Sequence, residues 1–151
     1  PEELNNPQII IKPALGFHVP GKFDKVLAIE QCMLMEDIQN KIRNALFDFA
    51  LENDITFFNL KEQNGLLRNL VIRLANTGQL MVIVILNCVN EKDESNREKI
   101  LSYLKNNFPQ ITSLQYIINN KRNDSYTDLQ AKLYHGLPYI EEKMENLTFT
   151  F

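Results

Sequence analysis

Apolar residues recur at Ile38, Ile42, Ala45, Leu46, Phe49 and Ala50, while Lys41, Arg43, Asp48 and Glu52 lie mostly off that stripe. The spacing of three to four predicts an amphipathic helix over 37–53. The Asn53-Asp54 pair closes it. Ile100, Leu101, Leu104 and Phe108 repeat the period, and Pro109 stops it. Ser95, with Glu98 three residues on, has the spacing of a capping box, so the second helix is expected to open near Ser95.

Elsewhere the period shortens to two or the apolar run is continuous. Leu15 to Lys22 reads as a short strand entering the Pro20-Gly21 turn, and Lys25 to Cys32 as a strand that pairs back on it. Asn64-Gly65 precedes a strand over Leu66 to Leu74, and Asn76-Thr77-Gly78 is a tight turn. The run from Leu80 to Cys88 has the Val and Ile content of a central strand. Ile111 to Ile118 is a further strand, Ala131 to His135 a short one ended by Gly136, and Leu147 to Phe151 the last. Tyr139 to Glu145 is expected to form one or two helical turns. Residues 1–13 read as a lead-in segment and 14–151 as one domain.

The central order is strand, helix, strand, strand, helix, strand, the split βαβ or ferredoxin-like arrangement. The expected fold class is therefore α+β: an antiparallel sheet with two helices on one face, extended by an N-terminal hairpin and C-terminal strands. One sheet face is expected to lack helix cover and to carry Asn69, Arg73, Ser113 and Gln115.

With 151 residues, 44% of them hydrophobic, the chain suffices for a single core. Sixteen Lys and Arg against nineteen Asp and Glu give a net charge of −3, which excludes an arginine-rich nucleic-acid binder but not a local basic face. The acids crowd the helices and their loops. Lys12, Lys22, Lys25, Arg68, Arg73, Lys121, Arg122 and Lys132 collect on non-helical segments. No apolar run approaches the length of a membrane span. Two cysteines outside any CxxC spacing suggest a reduced, cytoplasmic protein. Cys88 reads as a small core residue; on spacing alone, Cys32 is a core residue, a reactive thiol or a metal ligand. His18 and His135 sit in no zinc or triad spacing, and no phosphate-loop or dinucleotide motif is present. The chain starts without Met and closes on a strand-like run, which reads as a piece of a longer protein.

The stretch Gly16-Phe17-His18-Val19-Pro20-Gly21-Lys22-Phe23-Asp24-Lys25-Val26-Leu27-Ala28-Ile29-Glu30-Gln31-Cys32 resembles the central region of RNA uracil-5 methyltransferases, which modify uridine in 23S ribosomal or transfer RNA. Asn64 to Arg73 looks like that family's hairpin strand, and Asn119 to Asp124 like its Asn-bounded loop. Tyr134-His135-Gly136, Ile140-Glu141-Glu142 and Leu147 to Phe151 resemble the segment leading into its catalytic domain. The matches fall in order along nearly the whole chain after the first dozen residues.

The resemblance implies a parent enzyme using S-adenosylmethionine, and in several relatives a four-iron four-sulfur cluster whose fourth cysteine ligand corresponds to Cys32. It implies ribosomal or transfer RNA as the partner, not DNA and not a membrane. It places the cofactor-binding motifs, the attacking cysteine and the proton-abstracting carboxylate beyond Phe151, and an RNA-binding domain upstream, both packing on this one. The chain would then be catalytically inert and would position RNA. Its candidate RNA contacts are His18, Lys22, Lys25, Arg68, Arg73, Lys121 and Arg122, mostly to phosphates. The competing reading is a non-catalytic ferredoxin-like module for protein or ligand contacts.

Overall fold

A computed structural model of the chain describes residues 13–151, with the backbone alone at 22–25. The lead-in reading for the first dozen residues, including Lys12, lies outside the described residues. Strands β1 (Gly16–Val19) and β2 (Lys22–Ala28) pair antiparallel as a separate hairpin. Helix α1 (Asp37–Glu52) opens where the Glu36 N–H donates to Gln39 Oε1 at 3.0 Å. Strands β3 (Leu67–Leu74), β4 (Leu80–Leu86), β5 (Ile111–Ile118) and β6 (Lys132–Gly136) make one four-stranded sheet in that order, with α2 (Glu91–Asn107) between β4 and β5. A last hairpin, β7 (Glu141–Met144) and β8 (Leu147–Thr150), closes the described chain.

The α+β class, the two helices and the added hairpins are as the sequence leads one to expect. The sheet differs in two respects. It is mixed, because β4 and β5 run parallel while β3–β4 and β5–β6 are antiparallel. The ferredoxin-like arrangement is also not formed, because β2 stays paired with β1 in its own ribbon. Parallel neighbours need a crossover, and α2 supplies it. With β4 and β5 directly bonded, no slot between them is left for β2.

Both helices cover one sheet face. Leu80, Val82, Val84 and Leu86 alternate toward it and are buried with Ile42, Leu46 and Ala50 of α1 and Ile100, Leu101 and Leu104 of α2. The Phe49 and Tyr103 rings stack at 4.1 Å between centroids, locking the two helices together.

The opposite face carries no helix among the described residues, as expected, but it is not open throughout: the segment around Pro138 and Ile140 covers part of it, while Arg73 stays exposed. Ser113 and Gln115 are buried, and Gln115 Nε2 donates to Ser113 Oγ at 2.9 Å and to the Pro138 carbonyl at 3.0 Å. Ile140 packs on Ala75 and Met81, and its backbone pairs with Phe151 in both directions. The β7–β8 hairpin is strapped to the β3–β4 turn: Asn76 Nδ2 donates to the Lys143 carbonyl, Thr77 Oγ1 to the Glu141 carbonyl, and the Glu141 N–H to Gln79 Oε1. The helical turns expected over Tyr139 to Glu145 are therefore strand β7. Alternating polar residues served the hairpin, and Glu145 takes the left-handed turn at φ 53°.

Two boundaries also shift. Helix α2 begins one turn before Ser95, because Asn90 is the cap and its Oδ1 accepts from the Asp93 N–H at 2.9 Å. Strand β2 begins at Lys22 and ends at Ala28, so Cys32 lies in the loop that follows.

Candidate nucleic-acid interface

The loops at the carboxyl ends of the parallel pair β4–β5 come together with the segment preceding β3. Parallel α/β sheets commonly bind ligands at such strand ends. Here they enclose a cleft of about 430 Å³, lined by the ends of three segments: Gln63 to Gly65, Asn87 to Asp93, and Asn120 to Arg122. Gly65 is required at its position: φ is +102°, and a Cβ there would meet the Phe57 carbonyl oxygen at 2.3 Å. Gln63 also holds a left-handed backbone, at φ 57°.

The lining is rich in carboxamides, and each is oriented by its own chain. Asn87 is buried and donates to the Gly65 carbonyl at 3.0 Å. Asn120 donates to the Cys88 carbonyl at 2.8 Å. Gln63 Nε2 donates to the carbonyls of Leu60 and Arg122. At the rim, Arg122 is exposed, and its guanidinium has no partner among the described residues. Lys121 is held by Asp128, with Nζ and Oδ1 2.5 Å apart. That bond lowers the Asp128 carboxyl below its usual range.

Arg68 is the organiser of the loop and is itself inaccessible. Its side chain is fully buried; Nη1 donates to the carbonyls of Asn119 and Lys121, and Nη2 to the Asn123 carbonyl and to Asp124 at 2.8 Å. The guanidinium lies 4.0 Å over the Phe58 ring. Only Nε is left without a partner, and it is buried, so the guanidinium presents no accessible edge to a phosphate. Its effect is to hold the loop that carries Lys121 and Arg122.

The remaining candidates are not gathered at this cleft. Arg73 is exposed near the other end of β3, its guanidinium 5.3 Å over the Phe151 ring. His18 is exposed on β1, paired in register with Val26. Lys22 and Lys25 lie on β2 of the same hairpin. Tyr134 of β6 donates to Glu98 of α2 at 2.5 Å, which raises its phenol above the usual value.

Cys32 is half-buried in a loop held by polar side chains of α1. Asn40 accepts from the Cys32 N–H and donates to its carbonyl, while Arg43 and Asn44 both donate to the Glu30 carbonyl at 2.8 Å. Among the described residues no group of three or more His, Cys, Asp or Glu side chains could hold a metal. Cys32 thus offers one fixed thiol, which does not by itself fit a four-iron cluster. Cys88 is half-buried beside the core, and burial pushes its thiol up to about 11.

Asn64 and Asn120 were marked in the sequence only as parts of a turn and a loop, and none of Gln63, Asn64, Asn87 or Asn120 was a candidate contact. The available signal was the placement of asparagines just after strand ends, at Asn87 and at Asn119-Asn120, and just before β3.

No family model matches the chain. An uncharacterized RNA methyltransferase of Bacteroides thetaiotaomicron is 51% identical over 136 residues, covering 90% of this chain and 30% of the relative. An uncharacterized RNA methyltransferase of Porphyromonas gingivalis is 44% identical over 141 residues, covering 92% and 30%. The chain thus spans about 30% of the length of the curated relatives it matches. It is a homologue of one segment of these proteins. The fold recurs in the Pyrococcus abyssi tRNA (uracil-54, C5)-methyltransferase in complex with S-adenosyl-L-homocysteine, with a TM-score of 0.63, 21% identity and coverage of 85% of this chain and 30% of that one. The resemblance drawn from the sequence agrees with both findings.

Proposed function

We propose that this chain is the RNA-positioning part of a cytoplasmic RNA (uracil-5-)-methyltransferase that takes its methyl group from S-adenosylmethionine. The observation that carries the reading is the 51% identity, over 90% of the chain, to a segment of an RNA methyltransferase. The uracil-5 assignment draws on the shared fold with the archaeal enzyme and on the ordered motifs from Gly16 to Cys32 and from Asn119 to Asp124. Methyl transfer to a pyrimidine carbon needs a thiolate nucleophile, a base and a bound donor. In this reading those groups belong to the rest of the protein. This chain's part is to hold the substrate RNA through phosphate contacts from Lys22, Lys25, Arg73, Lys121 and Arg122, with His18 beside them. Arg68 acts from within, by shaping the loop that carries Lys121 and Arg122.

The test uses the full-length protein and mass spectrometry of RNA from cells with and without its gene. Loss of one 5-methyluridine on deletion, restored by the wild type and only weakly by a Lys22→Ala, Arg73→Ala, Arg122→Ala triple variant, is the expected result. An unchanged 5-methyluridine content would overturn the proposal.

A further inference from the structure

Four of the five carboxamides that line the cleft share one property; Asn90 is turned the other way, its Oδ1 accepting from the Asp93 N–H at 2.9 Å. In Gln63, Asn87 and Asn120 the NH2 group is turned onto backbone carbonyls of the chain, which only a donor satisfies. Asn64 follows suit, with its Nδ2 on Glu62 at 3.2 Å. The amide orientation is thereby fixed, and each side-chain oxygen is left without a donor among the described residues. Asp93 adds a carboxylate, of which Oδ2 accepts from the Val89 N–H. Acceptors therefore outnumber donors among the polar side chains of the cleft: four carboxamide oxygens and the Asp93 carboxylate stand against the Asn90 amide, the Thr56 hydroxyl, Lys121 held by Asp128, and Arg122, which has no partner among the described residues.

A lining of acceptors selects a ligand that brings donors. We propose that the cleft is a subsite for one unpaired nucleobase bearing an exocyclic amino group, that is adenine, cytosine or guanine, with Arg122 on its phosphate. The proposal rests on the RNA-positioning reading and adds a specificity to it. Amino groups supply two N–H donors for the oxygens of Asn87 and Asn120. Uracil has a single ring N–H between two carbonyls and would set acceptor against acceptor, a mismatch that works against it. The site thus reads a base other than the uridine that is modified. Asn87 suits such a role because it is buried, held by Gly65 from behind, and loses no rotamer freedom on binding. Unpaired bases read on their edges are the usual means of sequence-specific RNA recognition.

The test titrates the 151-residue chain with oligoadenylate, oligocytidylate and oligouridylate of equal length at low salt, with affinity and the side-chain amide NMR signals of Asn87 and Asn120 as readouts. The expected result is binding of the adenylate and cytidylate at least about fivefold tighter than the uridylate, a difference on the scale of one base-edge contact. Both amide signals should shift, and Asn120→Leu, at an exposed position, should erase the preference while uridylate affinity stays. Equal affinity for all three with unmoved amide signals would overturn the subsite and leave RNA positioning standing, since phosphate contacts ignore base identity. A preference that survives Asn120→Leu, or one for uridylate, would also overturn it. No binding of any oligonucleotide or of a structured RNA would overturn both readings.

Discussion

Asn40 grips both backbone groups of Cys32: its Oδ1 accepts from the Cys32 N–H at 2.9 Å, and its Nδ2 donates to the Cys32 carbonyl at 3.1 Å. The same Oδ1 accepts from Arg43 Nη2 at 3.2 Å, so one buried amide ties the loop after β2 to helix α1. Replacing it by Leu leaves the two Cys32 backbone groups without these partners and takes one acceptor from Arg43 Nη2, which keeps the Glu30 carbonyl. Asn40→Leu is expected to cost about 1–3 kcal/mol in denaturant unfolding, the penalty for stranded buried polar groups. Hydrogen exchange should accelerate first at residues 30–35.

The loop after β5 depends on Arg68 more than on its acidic partner. Removing Asp124 leaves the guanidinium three backbone carbonyls, whereas removing Arg68 strands all of them. Arg68→Met should therefore destabilise by on the order of 3 kcal/mol, as breaking a buried ionic network does, and Asp124→Asn by clearly less. In RNA binding both should weaken affinity through the displaced Lys121 and Arg122.

The C-terminal hairpin is held by a single apolar anchor and a set of exposed hydrogen bonds. Ile140 is 1% exposed against Ala75 and Met81. Ile140→Ala is expected to cost about 2–4 kcal/mol, the range for truncating a fully buried isoleucine. The amide protons of β7 and β8 should lose protection more than those of β4.

Cys88 gives a pH dependence of known sign. Burial, the largest influence, raises its thiol from 9.0 to about 11, with Asp93 and Glu94 adding to the rise and Arg97 opposing it. The folded state therefore holds the proton longer than the unfolded chain. Its contribution to stability is intact below pH 9 and falls as the pH rises from 9 toward 11. A Cys88→Ala variant should show a flatter loss over that window. Alkylation of Cys88 in the folded protein should be slow at pH 8, where roughly one thiol in a thousand is ionised.

The elements with strong periodicity were legible from the sequence. Ile42, Leu46 and Ala50 face the core because a 3.6-residue period leaves them no other place, and the run from Leu80 to Leu86 is central because it is apolar on both faces. Strand partnership was not legible, since the pattern of β2 and β4 says nothing of which strand each will pair with. The ferredoxin-like reading failed at that point. The role of Arg68 was hidden for a related reason: a basic residue in a strand reads as surface until the loop fifty-odd positions away supplies its acceptors. Of the cleft, only Lys121 and Arg122 were singled out in advance, because carboxamides carry no charge signal and gain their meaning from which atom the fold leaves free.

Cationic side chains of this chain are proposed to hold RNA directly. The direct measurement is the salt dependence of its affinity for a uridine-containing stem-loop, compared with an Arg73→Ala, Arg122→Ala double variant. Each phosphate contact contributes roughly one unit to the log–log slope. The slope should be shallower by about two in the variant, with the fold unchanged by circular dichroism. Identical slopes for both proteins, or no measurable affinity of the wild-type chain at low salt, would contradict it.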